Sequence, residues 1–202
     1  MNSFMKNLTI CFLIALTENV VAQEKIRELP LNLSIGSHSF NLPYRQPFRT
    51  NPYYPSVIVG TEFIYRSGKR SKIYQSGNAG YFHNSSTGDG ISLNSEFGFR
   101  YTLPFGLFAD VSFGPGYLHR FHPRTIYKLN GNGEYVKATD TGKACFMGGF
   151  TNTIGYDLST QLNLPISVFV RYQWFFQTPH FKDVLPGFHS IMQTGIRVNN
   201  VR

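Results

Sequence analysis

The chain is poor in cysteine, in tryptophan and in charge. Its 202 residues hold two cysteines, Cys11 and Cys145, and one tryptophan, so a disulfide-stapled scaffold is excluded. Charged residues make up 15% of the sequence, against ~25% in an average soluble domain. A disordered chain would combine high charge with low hydrophobicity, and the 42% hydrophobic content excludes it. No apolar run reaches the ~20 residues of a membrane-spanning helix. Beyond residue 22, no window of a dozen residues keeps a 3,4-spaced apolar pattern without a Gly or Pro, which excludes a helical bundle.

What the chain has is aromatics and turn formers: Phe 19, Tyr 12, Gly 19 and Pro 11. The N-terminus carries Lys6, the mainly apolar run 8–16, and Val20-Val21-Ala22-Gln23. A basic start, a short apolar stretch and small residues before a cut form a secretory signal pattern. Cleavage after Ala22 is expected, leaving 23–202 as one domain whose single cysteine, Cys145, packs as a small apolar residue. That removes one base and one acid, Lys6 and Glu18, so the net charge of +8 is kept.

Alternation with period two recurs through 23–202 and predicts eight strands. The clear ones are 56–66, 90–103, 105–120, 166–177 and 188–198, and weaker patterns cover 31–41, 72–83 and 144–157. Segment 56–66, for example, sets Val57, Val59, Thr61, Phe63 and Tyr65 against Glu62 and Arg66. Segment 166–177 sets Val168, Val170, Tyr172 and Trp174 against Ser167, Arg171 and Gln173, with Phe169 and Phe175 as exceptions on the polar side. Connections alternate between short (67–70, 103–106, 159–164) and mostly longer (42–55, 84–89, 121–143, 178–187). Short turns on one rim and longer loops on the other are the layout of a transmembrane β-barrel with both termini on the turn side.

Period two cannot tell a soluble ligand-carrying barrel from a membrane barrel, because the two differ only in which face points out. The polar faces decide it. Gly, Ser, Thr, Asn and Gln dominate them, whereas a water-exposed wall carries Lys and Glu on most strands. The mid-strand charges are Glu62, Glu96, Arg100, Asp110, Arg171 and Arg197, three of each sign. An unpaired buried charge is very costly, so a balanced set is expected to pair inside a closed lumen and plug it. The expected fold is therefore an all-β, eight-stranded antiparallel up-and-down transmembrane barrel. Tyr65, Tyr101, Phe105, Tyr117, Tyr156, Tyr172, Trp174 and Phe176 are expected in belts at the headgroup level.

The stretches Gly80-Tyr81-Phe82-His83, Glu96-Phe97-Gly98-Phe99-Arg100-Tyr101, Phe105-Gly106-Leu107-Phe108-Ala109 and Gly114-Pro115-Gly116-Tyr117-Leu118-His119 resemble small outer-membrane β-barrel proteins of Bacteroidota-type bacteria. The resemblance covers roughly 55–198. It rests on glycine-aromatic strand patterns, and it implies a fold and a bacterial outer-membrane location rather than an activity.

The expected function is a non-enzymatic scaffold, monomeric or an accessory subunit of an envelope complex, touching its surroundings through loops 42–55 and 121–143. A gated small pore is the alternative reading of the same lumenal charges. Arg120, Arg124, Lys128, Lys137 and Lys143, in or beside the second loop, suit contact with outer-membrane lipid through lipopolysaccharide phosphates. Nucleic acid is disfavoured by the compartment despite the positive charge. The enzymatic alternative is a lipid A deacylase-like barrel, whose members use a His and a Ser two residues apart on a strand, with an acid orienting the His. His83-Asn84-Ser85 has that spacing, and the chemistry is a hydroxyl activated by an imidazole. His38-Ser39 and His189-Ser190 show how readily His and Ser fall close together. No cofactor or metal is expected: of His119, His122, His180 and His189, the first two flank Arg120, and a cation opposes a second cation.

Overall fold

The computed structural model describes residues 29–40, 53–131, 133–162, 164–178 and 186–199. The expected signal segment 1–22, most of loop 42–55 and His180 lie outside the described residues.

Among the described residues, ten strands follow one another: β1 Leu31–Ser39, β2 Pro55–Ser67, β3 Ser71–Phe82, β4 Gly90–Thr102, β5 Leu107–Arg120, β6 Ile126–Leu129, β7 Tyr135–Ala138, β8 Lys143–Asp157, β9 Ile166–Thr178 and β10 Gly187–Val198. Eight close into a barrel in the order β1-β10-β9-β8-β5-β4-β3-β2, and all the pairs are antiparallel. The short connections 68–70, 103–106 and 158–165 share one rim with both ends of the described barrel. At 103–106 the tight return uses Gly106 in the left-handed region, with φ of 96°, where side chains are disfavoured.

The sequence pattern did not show β6 and β7, which pair as a separate hairpin inside loop 121–143. Its strands are four residues each, too short for alternation to stand out. The turn holds it together: Asn130 N–H donates to the Glu134 carbonyl at 2.9 Å, and Glu134 N–H donates back to Asn130 Oδ1 at 2.9 Å.

The polarity is that of a membrane barrel. Leu31, Leu33, Ile35, Val57, Val59, Phe63, Leu93, Phe97, Phe99, Val111, Phe113, Ile154 and Val170 are exposed on the outer wall, whereas Glu62, Glu96, Arg100, Asp110, Arg171 and Arg197 are buried. A soluble barrel inverts this arrangement. The rings are not confined to the rims. Phe97, Phe113, Phe150 and Trp174 form one continuous row of paired positions across β4, β5, β8 and β9. Arg66 departs from the expected pattern, because a bulge between Ile64 and Arg66 makes it oppose Ile73. A bulge re-aims the residues beyond it, and Arg66 is exposed beside the turn instead of continuing the Glu62 row.

Phe113 is 62% exposed at the middle of β5. Phe113→Arg is expected to cost about 2–4 kcal/mol, as for a cation facing lipid near the midplane, when unfolding is measured with urea in lipid vesicles. Lys128→Ala on the hairpin should change the same measurement by less than about 0.5 kcal/mol.

Candidate functional site

The lumen is filled in tiers. Nearest the turn rim, Arg100 lies between two carboxylates. Its Nη2 donates to Glu62 Oε1 and Oε2 at 2.9 and 3.0 Å, and its Nε and Nη2 donate to Asp110 at 2.8 and 2.9 Å. Arg197 completes the group: Nη2 approaches Glu62 Oε1 at 2.7 Å and Asp110 Oδ2 at 3.5 Å. That approach is a charge contact poorly directed for a hydrogen bond, and Nη2 has no well-aligned acceptor among the described residues. Arg197 Nε donates to Asn32 Oδ1 at 2.9 Å, and Asn32 Nδ2 donates to Glu62 at 3.2 Å. Two cations therefore meet two anions, so the cluster is neutral.

Aromatic rings fill the space between the guanidiniums. Phe108 lies 5.2 Å from both Arg100 and Arg197, Tyr74 lies 4.8 Å from Arg100, and Phe169 lies 4.8 Å from Arg171. Phe169 on a polar face is thus a partner for cations. Room for these rings comes from glycine: a Cβ on Gly98 would sit 2.4 Å from the Tyr74 ring, and one on Gly155 would sit 2.3 Å from that of Phe108.

The six charges do not form one network. Glu96 accepts from Asn94, Ser112, Thr151 and Gln173 at 2.7–3.0 Å, all neutral donors. Arg171 donates to Thr153 Oγ1 at 3.3 Å and has no carboxylate within 4 Å among the described residues. Distance along the strand sets Glu96 apart: at ~3.3 Å per residue, it stands about 13 Å from Arg100 on β4, whereas Arg171 shares the cross-strand row of Arg100, Asp110 and Thr153.

Towards the loop rim lies a tier that the sequence pattern did not single out. Asn84 Oδ1 accepts from the N–H groups of Ser86 and Thr87, which fixes its Nδ2 as the donor to His38 Nδ1 at 3.1 Å. His38 then carries its proton on Nε2 and donates to His189 Nδ1 at 2.8 Å. By the same step, His189 Nε2 donates to Gln177 Oε1 at 2.9 Å. One direction of donation satisfies the whole chain with both imidazoles neutral. His38 stacks on Phe82 at 4.0 Å and His189 on Phe175 at 4.8 Å, and all four are essentially inaccessible. The two histidines that looked like casual neighbours of serines are joined to each other across the β1–β10 closure. Only the inward parity of His189 hinted at this.

Outside the barrel, His83 Nδ1 lies 2.6 Å from Asp89 Oδ1, and Tyr81 donates to Asp89 Oδ2 at 2.9 Å. Asp89 is an acid that the sequence pattern did not identify. Ser85 is exposed in the turn after β3. The other loop histidines are engaged separately, His119 with Tyr117 and the Thr141 carbonyl, and His122 with Asp140. The Gly142 and His122 N–H groups hold the Asp140 carboxyl below its ordinary range.

The five basic residues separate into three places. Arg120 and Lys143 are directly paired on β5 and β8, on the inner face above Leu118 and Cys145. Arg124 and Lys137 border a hollow beside His122 and Asp140. Lys128 pairs with Val136 while Lys137 pairs with Tyr127, so the two lysines point to opposite faces of the hairpin.

Arg100→Met would leave Glu62 and Asp110 facing Arg197 alone. The expected loss is about 3–5 kcal/mol of unfolding free energy, as for one partner removed from a buried ion group. The paired change Arg100→Met/Asp110→Leu, which keeps the tier neutral, should recover much of it. Urea unfolding in vesicles checks both.

No protein-family model and no curated protein sequence matches the chain. Its fold is similar to the crystal structure of Neisserial surface protein A, with a TM-score of 0.52 and 9% identity over 85% of this chain and 96% of that one. It is similar also to the outer membrane enzyme PagL, with a TM-score of 0.51 and 10% identity over 85% of this chain and 99% of that one. At such identities the likeness is one of architecture: this chain has the closed eight-stranded antiparallel barrel fold of small outer-membrane proteins.

Proposed function

We propose that the protein is a non-enzymatic barrel of the bacterial outer membrane, with a lumen plugged by its own side chains and loops that form its contact surface. The neutral group of Arg100, Arg197, Glu62 and Asp110 carries this reading. An eight-stranded barrel leaves an interior only wide enough for side chains, and here paired ions, aromatic rings and the His38–His189 chain occupy it. The apolar outer wall supports a lipid setting, and the basic residues Arg124, Lys128 and Lys137 on the loop rim suit contact with lipid phosphates.

The test is conductance. Purified full-length protein in a planar bilayer is expected to show no single-channel steps, and Arg100→Ser/Arg197→Ser should introduce them by leaving polar space in the tier. Steps from the unmodified protein would replace the plug with the small-pore reading. Separation of cell envelopes is expected to place the protein with the outer membrane.

A second reading rests on Asp89. An acid 2.6 Å from His83 Nδ1 leaves Nε2 as the imidazole's outward nitrogen, the position from which a base would serve a nearby hydroxyl, and Ser85 is two residues away. An imidazole oriented by an acid is one half of what a hydrolase acting on lipid esters would need, with Ser85 as the nucleophile. No hydrogen bond joins Ser85 to His83 among the described residues, and for that reason the scaffold reading is preferred. Mass spectrometry of lipid A from expressing cells separates the two. Unchanged acylation is expected; loss of an acyl chain that Ser85→Ala abolishes would establish the enzyme.

A further inference from the structure

A run of cations stands at the turn rim, at the opposite end of the barrel from the loops. The β2–β3 connection with its flanks reads Arg66-Ser67-Gly68-Lys69-Arg70-Ser71-Lys72, four bases in seven residues. Arg66, Lys69 and Arg70 are exposed, and their charged groups have no hydrogen bond or ion pair among the described residues. We propose that this turn is a binding site for the headgroup of an anionic glycerophospholipid in the leaflet on the turn side.

The bulge in β2 selects a lipid. Without it, alternation would carry Arg66 on from Glu62 towards the lumen. With it, Arg66 is paired with Ile73 and Ile73 with Phe99, which is exposed on the outer wall. Directly paired residues share a face, so Arg66 stands on the lipid side of the barrel at its rim. A guanidinium there does not rest against hydrocarbon; it reaches to the headgroup level. Its counterpart at that level is a phosphate, which two parallel N–H groups of one guanidinium can grip. Lys72 lies opposite Arg100 in the register and faces the interior, so it is not part of the site.

The turn holds the other two cations beside the first. Gly68 N–H donates to the Ser71 carbonyl at 2.7 Å, and Thr102 N–H donates to the Arg70 carbonyl at 2.8 Å, which ties the turn to the end of β4. Lys69 and Arg70 are thus carried on a short, closed arc. Around it stand Tyr65, Tyr101 and Phe105, all exposed, with Tyr101 paired to Ser71. Exposed rings at strand ends lie at the membrane interface, where they seat the glycerol and upper acyl chain while the cations take the phosphate. An anion in water could use the cations but would leave the rings unused. The short turns of an outer-membrane barrel face the periplasm, so the lipid comes from the inner leaflet, and the site is separate from Arg124, Lys128 and Lys137 on the loop rim. Of the proposed function it needs only the lipid-facing wall, not the plug.

The test is native mass spectrometry of the purified full-length protein in detergent, titrated with phosphatidylglycerol and, separately, with phosphatidylcholine of the same acyl chains. The first phosphatidylglycerol is expected to bind at least about tenfold tighter than the first phosphatidylcholine. Arg66→Gln should cost roughly fivefold, the size of one cation's attraction to anionic lipid. Arg66→Gln/Lys69→Gln/Arg70→Gln should bring the two lipids within about twofold, whereas Arg66→Lys, which keeps the charge, should retain most of the preference. Arg124→Gln/Lys137→Gln on the loop rim should leave the tightest site unchanged. Urea unfolding of the triple variant in vesicles is expected to match that of the unmodified protein, which separates lost binding from lost fold. Equal binding of the two lipids, a preference that survives the triple change, or one removed by the loop-rim pair instead would each overturn the inference. So would soluble glycerophosphoglycerol binding as tightly as the lipid, which would assign the turn to free phosphate esters, or an acidic muropeptide displacing the lipid, which would assign it to the cell wall. Channel steps from a protein that keeps the preference would sink the plug and leave this site standing.

Discussion

Arg100 cannot be solvated where it sits, and the interior around it is arranged accordingly. A guanidinium inside a closed barrel must exchange its water for fixed acceptors, and Asp110 on the adjacent β5 and Glu62 on β2, one strand further round, provide them at 2.8–3.0 Å. Those two acids bring a net negative charge, which Arg197 cancels. The rings of Tyr74, Phe108 and Phe169 fit between the cations, and Gly98 and Gly155 are small because the rings need the space. A buried ion group of this kind is a weak source of net stability. What it does secure is registry, since a shift of one residue in β4 or β5 would carry Arg100 or Asp110 to the lipid face.

The two ends of the lumen solve the same problem by different chemistry. Near the turns, charge is met by charge. Near the loops, neutral imidazoles are met by amides, and the direction of donation runs from Asn84 to Gln177 without a break. The first arrangement is the group on which the proposal of a plugged lumen rests, while the second pairs neutral groups below Arg120 and Lys143 on the inner face of the wall. Glu96, in the middle, belongs to neither and is held by four neutral donors. The interior is therefore polar in tiers rather than throughout, because Ile58, Leu118, Cys145, Met147 and Ile191 are buried in it as part of one apolar cluster.

Much of the fold was legible because the constraint is periodic. Val57, Val59 and Phe63 alternate with Ile58, Gly60 and Glu62, and a barrel in lipid needs one face for each solvent. Strand ends fell within a few residues of the pattern because the turns carry Gly, Pro and charge. The site was less legible for two reasons. Arg100 and Asp110 are near in sequence and their meeting could be anticipated, but the contact of Arg100 with Glu62, which is paired through Ser76 with the row of Glu96, depends on the stagger across β3, which periodicity does not encode. Arg66 left its expected row because one bulge reverses every residue beyond it, and no local residue announces a bulge. The hairpin of β6 and β7 was hidden because four-residue strands are too short to repeat.

The sequence by itself determined the polarity of the wall, the number of barrel strands and the balance of charge within, because each follows from composition and a period of two. Only the tertiary structure decided which of those charges touch, since contact across the lumen depends on stagger between strands distant in the chain. It also brought His38 to His189, 151 positions apart, by closing β1 against β10. That closure is a property of the whole ring of hydrogen bonds, and no segment of the sequence contains it.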